Sequence, residues 1–382
     1  MQKRVVIAGG GTGGHLYPGI ALAKALKRHD MDIEISFVGT QKGIEAKVLP
    51  REGFELKTIL SAGLLGKKRL SRWMSWVKLP MGTAQSMCFL LKKQPGLVVG
   101  VGGYASGPLV LSAWILRIPI LIHEQNSIPG LTNTWLGKIA NKVAVSFKGS
   151  AKFFRKDKVE VTGNMIREEI CQPREAYTKD PDSPFRVLVL GGSQGAHSIN
   201  IAMVEALQSL KYNQEAIHIT HQTGERDFQA VKSEYESYGF SHDVRPFIDD
   251  MAEQYRQASL VICRAGATTL AEVTACGKVS VLIPYPHAAH NHQEKNARVL
   301  NSANAGELVL DKDLSGPRIA QSILHAIEDP QRMEEMGKNS YQLGNRDATE
   351  KVRDLCMELL KDANQNSGQT GKMKKDFVLS CF

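Results

Sequence analysis

The chain has 382 residues, enough for two or three domains with sizeable cores. No apolar run reaches the roughly 18–20 residues of a membrane span, and a strand pattern opens almost at the N-terminus, so neither a transmembrane protein nor a signal peptide is expected. The net charge of +9 is uneven: residues 1–162 carry 24 Lys and Arg against 9 Asp and Glu, which points the first half toward nucleic acid or a membrane surface.

Arg4–Ala8 reads as a short buried strand, followed by Gly9-Gly10-Gly11-Thr12-Gly13-Gly14-His15 and a helix from Pro18 through Leu26. Gly9, Gly11 and Gly14 satisfy G-x-G-x-x-G. The second strand, Ile33–Val38, ends in Gly39-Thr40-Gln41 without the acid that a dinucleotide ribose requires. Leu56–Lys93 is a basic stretch. Within it Leu70, Trp73, Met74 and Val77 share one helical face, and Lys67, Lys68, Arg69 and Arg72 crowd beside Trp73 and Trp76. Further buried strands at Leu97–Val101, Pro119–Ile122 and Lys142–Ser146 end in Gly102-Gly103-Tyr104, in His123-Glu124-Gln125-Asn126, and near Ser146. Repeated polar strand ends place a cleft at the carboxyl edge of a parallel sheet.

Gln172–Pro184, polar and proline-bearing, reads as a linker or surface loop. Arg186–Leu190, Gly191-Gly192-Ser193-Gln194-Gly195-Ala196 and Ile199–Leu207 then repeat the strand, glycine loop and helix of the start, so two similar α/β halves are expected. Strands continue at Ala216–Thr220, Asp243–Pro246, Leu260–Cys263 and Ser280–Ile283. After Cys263 the run Arg264-Ala265-Gly266 opens a helix at Ala267-Thr268-Thr269-Leu270-Ala271-Glu272, whose first turn suits a phosphate. Glu272, further along that helix, is within reach of a ribose diol. Helices follow near Gly316–Ile327, Gln331–Tyr341 and Ala348–Leu360, and Asn364–Phe382 reads as disordered.

Six cysteines form no C-x-x-C pair; Cys263 and Cys276 read as core thiols in a reducing cytoplasm. His287, His290 and His292 read as a polar loop rather than zinc ligands, and Asp249-Asp250 as a helix cap rather than a metal pair. His15, behind its glycines, is a candidate for proton transfer or phosphate contact, and Glu124, the one acid between Leu56 and Lys156, for a base or a sugar ligand. Neither a P-loop nor a G-x-S-x-G elbow is present.

Taken in order, the glycine loops, His123-Glu124-Gln125-Asn126, Gly163-Asn164 with Arg167, Phe247-Ile248-Asp249-Asp250-Met251, and Gly266–Glu272 with Gln293 and Asn296 resemble the MurG family, the lipid II synthases of peptidoglycan assembly. The resemblance runs from Lys3 to about Leu360, with Met165 where the family commonly has proline. It implies an α/β GT-B fold: two Rossmann-like domains facing across a cleft, and a C-terminal helix crossing back to the first. The implied domains are 1–162 for the acceptor and membrane, joined by the returning helix near 341–362, and 163–340 for the nucleotide sugar, with 363–382 a disordered tail.

It implies inverting transfer of N-acetylglucosamine from UDP-N-acetylglucosamine to undecaprenyl-diphospho-N-acetylmuramoyl-pentapeptide (lipid I), and hence a part in cell shape and division. His15 and Glu124 would be catalytic. Glu272 would hold the ribose and the Ile248 backbone the uracil. Arg167, Ser193 and Thr269 would surround the nucleotide and diphosphate, with Leu270 and Ala271 on the same turn. Asn126, Ala267, Thr268 and Gln293 would face the donor sugar, and Thr12, Gly13 and Gly14 would close from the first domain. No tightly bound cofactor is implied; a divalent cation is compatible with the sequence without being required. The basic stretch would then serve an anionic membrane rather than nucleic acid, placing the protein peripherally on the cytoplasmic face of a bacterial inner membrane. The alternatives are a UDP-N-acetylglucosamine 2-epimerase of related fold and a non-catalytic membrane scaffold gated by a nucleotide sugar.

Overall fold

A computed structural model describes residues 3–41, 43–61, 69–103, 105–171, 183–192 and 194–379; over 69–79 and nearly all of 364–379 it describes the backbone alone. The chain divides into two compact units, Met1–Gln125 with Pro129–Met165 and Asp347–Phe382, and Asn126–Ile128 with Ile166–Arg346.

The first unit runs β1 (Arg4–Ala8), α1 (Gly13–His29), β2 (Glu34–Gly39), α2 (Glu45–Arg51), β3 (Glu55–Thr58), α3 (Arg69–Lys93), β4 (Leu97–Gly100), α4 (Ser106–Ile115), β5 (Ile120–Glu124), α5 (Leu131–Ile139), β6 (Lys142–Val145) and β7 (Val159–Val161). All its strand pairs are parallel, in the order β3-β2-β1-β4-β5-β6-β7. Successive strand residues point to opposite faces, so Val5, Ile7, Leu97 and Val99 meet α1 on one side. Val6, Ala8, Val98 and Ile122 meet α3 and α4 on the other.

The second unit runs β8 (Phe185–Leu190), α6 (His197–Leu210), β9 (Ile217–Gln222), α7 (Phe228–Tyr238), β10 (Ser241–Arg245), α8 (Met251–Gln257), β11 (Leu260–Cys263), α9 (Ala267–Ala275), β12 (Val279–Leu282), α10 (His292–Ser302), β13 (Glu307–Leu308), α11 (Gly316–Glu328) and α12 (Pro330–Leu343). Its parallel order is β10-β9-β8-β11-β12-β13. In each sheet the order reverses once, between β1 and β4 and between β8 and β11. The loops leaving those strands diverge there and open a crevice within that unit. The glycine loops and the α9 turn stand at these two points.

The last helix, α13 (Ala348–Leu379), returns to the first unit, where Val352, Leu355, Cys356, Leu359 and Leu360 join the core beneath α1. Its backbone stays helical through 364–379, where the composition pointed to disorder; that stretch holds no proline to break the ladder. Three other local expectations change. The helix expected from Pro18 begins at Gly13, because extended Thr12 caps it and Leu16 N–H bonds to Thr12 O before the proline is reached. The chain leaves the first unit after Met165 rather than at 162, since the N–H groups of Thr162 and Gly163 both bond to Val145 O. Inside the stretch read as simply basic, β3 adds an edge strand beside β2. Lys67 and Lys68 lie outside the described residues, while Arg69, Arg72, Trp73 and Trp76 are in the first turns of α3.

Leu355 is nearly buried in the α1–α13 core. Leu355→Ala should lower unfolding free energy by about 2–5 kcal/mol, read from urea denaturation; a loss under about 0.5 kcal/mol would mean α13 does not share that core.

Candidate active site

In the first unit the β1–α1 loop is packed between two neighbours. On one side lies the β4–α4 turn. A side chain on Gly102, at φ +96, would put its Cβ 2.6 Å from His15 Nδ1, so a glycine there makes room for the imidazole. On the other side is Glu45, the first residue of α2 and fully buried. Its Oε2 accepts from Gly11 N–H at 2.7 Å, and its Oε1 accepts from both the N–H and the hydroxyl of Thr40 at 2.8 Å. Nothing in the local pattern marks Glu45; the cue available was the shortage of side chains at Gly10, Gly39 and Gly43, which leaves a hole for one carboxylate.

The end of β5 is equally buried. His123 Nε2 donates to Gly163 O at 3.2 Å, which places a proton on that nitrogen. Burial pulls its pKa down to about 4; the Gly163 bond opposes this, and the nearby His15 adds to it. Glu124, a candidate base from the sequence, is buried, and its carboxylate is already engaged. Its Oε2 accepts from Gly130 N–H, at the start of α5, at 3.1 Å and from Asn133 Nδ2 at 2.8 Å, so the carboxylate fastens the turn that follows β5. Gln125 reaches the other way, donating to Val101 O at 2.6 Å.

In the second unit, Gln222 at the end of β9 joins two loops. Its Nε2 donates to Gly192 O at 2.8 Å and its Oε1 accepts from Ile248 N–H at 2.9 Å. The Ile248 amide is thus engaged, and a base read by that backbone would meet the carbonyl. Ser193 lies outside the described residues. Gly266 caps α9 with an extended backbone and no side-chain bond, so the amides of Ala267, Thr268 and Thr269 form an ordinary positive helix end. Behind it, Glu272 accepts from Arg167 Nη2 at 3.2 Å and from Tyr255 OH at 3.1 Å. The residues expected at the ribose and the diphosphate are therefore paired with each other, and Tyr255 is a partner that no sequence pattern signalled.

Asn126–Ile128 belongs to this unit. Asn296 Oδ1 accepts from Ser127 N–H at 3.1 Å, and its Nδ2 donates to Ala265 O at 3.5 Å, next to the α9 turn. Gln293 Oε1 accepts from Tyr285 N–H at 2.9 Å. Arg264, unremarked in the sequence, spans the carbonyls of Ile283 and Pro284, Asp311 at 2.7 Å and Ser198, with its guanidinium against the Tyr285 ring.

Among the described residues no group of three or more His, Cys, Asp or Glu is placed to hold a metal. His287 packs edge-on to Tyr285, and His292 Nδ1 bonds to Ala289 O. Asp250 does stand at the start of α8, but it makes no capping bond; its carboxylate pairs with Arg245 at 2.5 Å and accepts from Gln254 Nε2 at 2.8 Å. The Arg245 guanidinium is the nearer, stronger donor, and it draws the carboxylate off the helix amides. Cys263 is a core thiol and Cys276 a partly buried one packed against the same core, each pushed up to about 12 by burial.

The family models for the glycosyltransferase family 28 N-terminal and C-terminal domains match residues 5–145 and 186–355. A UDP-N-acetylglucosamine--N-acetylmuramyl-(pentapeptide) pyrophosphoryl-undecaprenol N-acetylglucosamine transferase of Geobacter sulfurreducens is 48% identical over 92% of this chain and 97% of its own. The crystal structure of Acinetobacter baumannii MurG superposes with a TM-score of 0.72 at 31% identity, covering 93% of this chain and 99% of that one. A UDP-GlcNAc 2-epimerase from Neisseria meningitidis, bound to UDP-GlcNAc, has a TM-score of 0.63 at 12% identity over 93% of this chain and 100% of its own, a likeness of fold alone.

The depressed His123 pKa has a consequence for stability. Unfolded, the ring titrates near 6.5. Between about 6.5 and 4 the unfolded chain takes up a proton that the folded chain refuses, so stability is full above 6.5 and falls as the pH drops toward 4. His123→Gln should shrink the difference in unfolding free energy between pH 7 and pH 5 by about 2 kcal/mol. An unchanged difference would mean that the folded ring carries the proton.

Proposed function

We propose that the chain, which belongs to glycosyltransferase family 28 and within it to the MurG proteins, moves N-acetylglucosamine from UDP-N-acetylglucosamine to undecaprenyl-linked lipid I, giving lipid II. The observation that carries this reading is identity of 48% to a transferase of that activity, sustained over 92% of the chain.

The acceptor hydroxyl oxygen forms the new bond to the anomeric carbon as the bond from that carbon to the UDP phosphate oxygen breaks, on the opposite face, with inversion. Two tasks fall to the protein: taking the hydroxyl proton and stabilising the departing diphosphate. The amides of Ala267–Thr269, with Arg167 and Ser193, suit the second. Glu272 offers acceptor oxygens to the ribose hydroxyls, already oriented by Arg167 and Tyr255. The Ile248 carbonyl suits the uracil N–H, while Leu270 and Ala271 continue the turn. Asn126, Thr268 and Gln293 address the sugar. On the acceptor side we assign Thr12, Gly13 and Gly14 to contact and His15 to proton removal. Glu124, bound to Gly130 and Asn133, shapes the turn after β5.

The same reading assigns the basic half to an anionic membrane surface rather than to nucleic acid, with the protein peripheral on the cytoplasmic face. No helix among the described residues is long and apolar enough to cross a membrane. α3 and α4 pack together and leave Met81, Leu91, Trp114 and Ile115 exposed on the unit that carries the excess of Lys and Arg. Apolar side chains amid positive charge suit the headgroup boundary, where each cation contributes about 1 kcal/mol.

Two measurements test these assignments. Purified protein should release UDP from UDP-N-acetylglucosamine only when lipid I is supplied; conversion of the donor to its 2-epimer without acceptor, the UDP still attached, would favour the epimerase, and neither reaction the scaffold. In that assay His15→Ala should lower kcat by about 10²–10⁴-fold with donor affinity nearly unchanged, and Glu124→Gln, whose amide cannot accept from both donors at one oxygen as well as a carboxylate, should cost less. The reverse order would make Glu124 the base.

Replacing Lys67, Lys68, Arg69 and Arg72 with Ser should reduce pelleting with anionic liposomes and leave UDP binding intact. Equal pelleting of variant and parent would remove this stretch from the membrane contact.

A further inference from the structure

In most glycine-rich turns that follow the first strand of such a sheet, backbone amides converge on a bound anion. In the first unit the anion is part of the chain. Glu45 sends a carboxylate under the loop, where it takes the Gly11 N–H with one oxygen and the Thr40 N–H and hydroxyl with the other. The fit is close on every side. A Cβ on Gly39 would stand 2.7 Å from Glu45 Cγ, and one on Gly10 or on Gly43 would overlap the carboxyl group itself. Three glycines from two loops thus form a cradle that fits one carboxylate and excludes solvent, leaving Glu45 fully buried.

We propose that Glu45 is a positioning residue for the transfer reaction: it fills the anion place of the β1–α1 loop and thereby fixes the segment Thr12–His15 for the acceptor. This rests on the assignment of that segment to the acceptor side. Gly10 and Gly11 have φ of +154 and +84, conformations with no preference of their own for one loop shape, so an external tether must choose it. The tether comes from α2 and the end of β2, and it acts on the loop two residues before the helix that presents His15. The opposite wall is the β4–α4 turn, where a Cβ on Gly103 would overlap Gly10 O. With one wall formed by backbone and the other by a carboxylate, the loop has a single seat. The second glycine loop is held differently, by the neutral amide of Gln222 on Gly192 O. The negative charge under the first loop also makes that unit's G-x-G-x-x-G turn unsuited to a nucleotide phosphate.

Glu45→Gln is the direct test. Its amide keeps the shape but sets an N–H₂ against either Gly11 N–H or the two Thr40 donors. Three readings are taken on the full-length protein: hydrogen exchange over residues 9–17, UDP affinity by calorimetry, and kcat with lipid I. The expected result is exchange at least about tenfold faster in that segment, UDP affinity within about twofold, and kcat lower by about 10–100-fold, the size of loss that a misplaced catalytic loop brings. Unchanged exchange, unchanged kcat despite faster exchange, or a fall in UDP affinity as large as the fall in kcat would each overturn the proposal. If the parent protein shows no acceptor-dependent UDP release, the functional reading fails instead, and the exchange result still reports whether Glu45 holds the loop. Should Glu45→Gln not fold, Thr40→Val removes one donor only; it should lower kcat about two- to fivefold at constant UDP affinity, and unchanged turnover there counts against the proposal.

Discussion

A buried peptide group needs a hydrogen-bond partner, and the loops of this chain create such groups faster than its sheets can satisfy them. Every strand pair is parallel, and the glycine-rich turns at the two reversal points bring backbone against backbone. The missing partners are supplied by buried or partly buried side chains from other parts of the chain. Glu45 serves Gly11 and Thr40, Gln125 serves Val101, Gln222 serves Gly192 and Ile248, Asn296 serves Ser127 and Ala265, and Arg264 serves Ile283 and Pro284. Each joins segments far apart in sequence. The loops are therefore fixed by polar groups in water-poor surroundings, where leaving one partner out costs about 1–3 kcal/mol.

This explains which parts of the molecule were legible in the sequence. The strands Arg4–Ala8, Arg186–Leu190 and Leu260–Cys263 announce themselves because a doubly covered parallel strand is a continuous apolar run. The glycine loops and the α9 turn are equally plain, since glycine is punctuation. What could not be read is the set of long-range polar partners. Glu45, Tyr255, Gln222 and Arg264 carry no local signal; their roles exist only once the fold has placed their acceptors or donors. Glu124 shows the converse. Its isolation among basic residues drew attention to its chemistry, while the pattern gave no sign that Gly130 and Asn133, a few residues further along, engage its carboxylate. Helix limits failed where two rules competed: Pro18 is a frequent first-turn residue, but the Thr12 cap and the amides behind it start α1 earlier.

If Arg167 and Glu272 bind the donor as proposed, the Arg167–Glu272–Tyr255 cluster has a further implication. Arg167 is a strong donor held beside a carboxylate that itself accepts from a phenol, with side-chain exposures of 19% for Arg167 and 8% for Glu272. Most of the cost of taking both charged groups out of water would then be met before a ligand arrives, because the fold has already buried much of each. Preorganisation of this kind spends folding stability to reduce the ordering and desolvation that binding would otherwise require.

The return of α13 to the first unit affects how the protein is made. A ribosome delivers the chain from the N-terminus, and domains tend to fold as they emerge. The second unit ends at Arg346, and its segments Ile166–Arg346 are nearly contiguous, so it can close as soon as they are out. The first unit cannot. Its sheet is synthesised before the second unit, yet the apolar face of α1 waits for Val352–Leu360, which are made only after that unit. Until then that face is a sticky surface in search of a cover. The order of completion is the reverse of the order of translation, and a stalled or truncated chain would strand a finished second unit on an open first one.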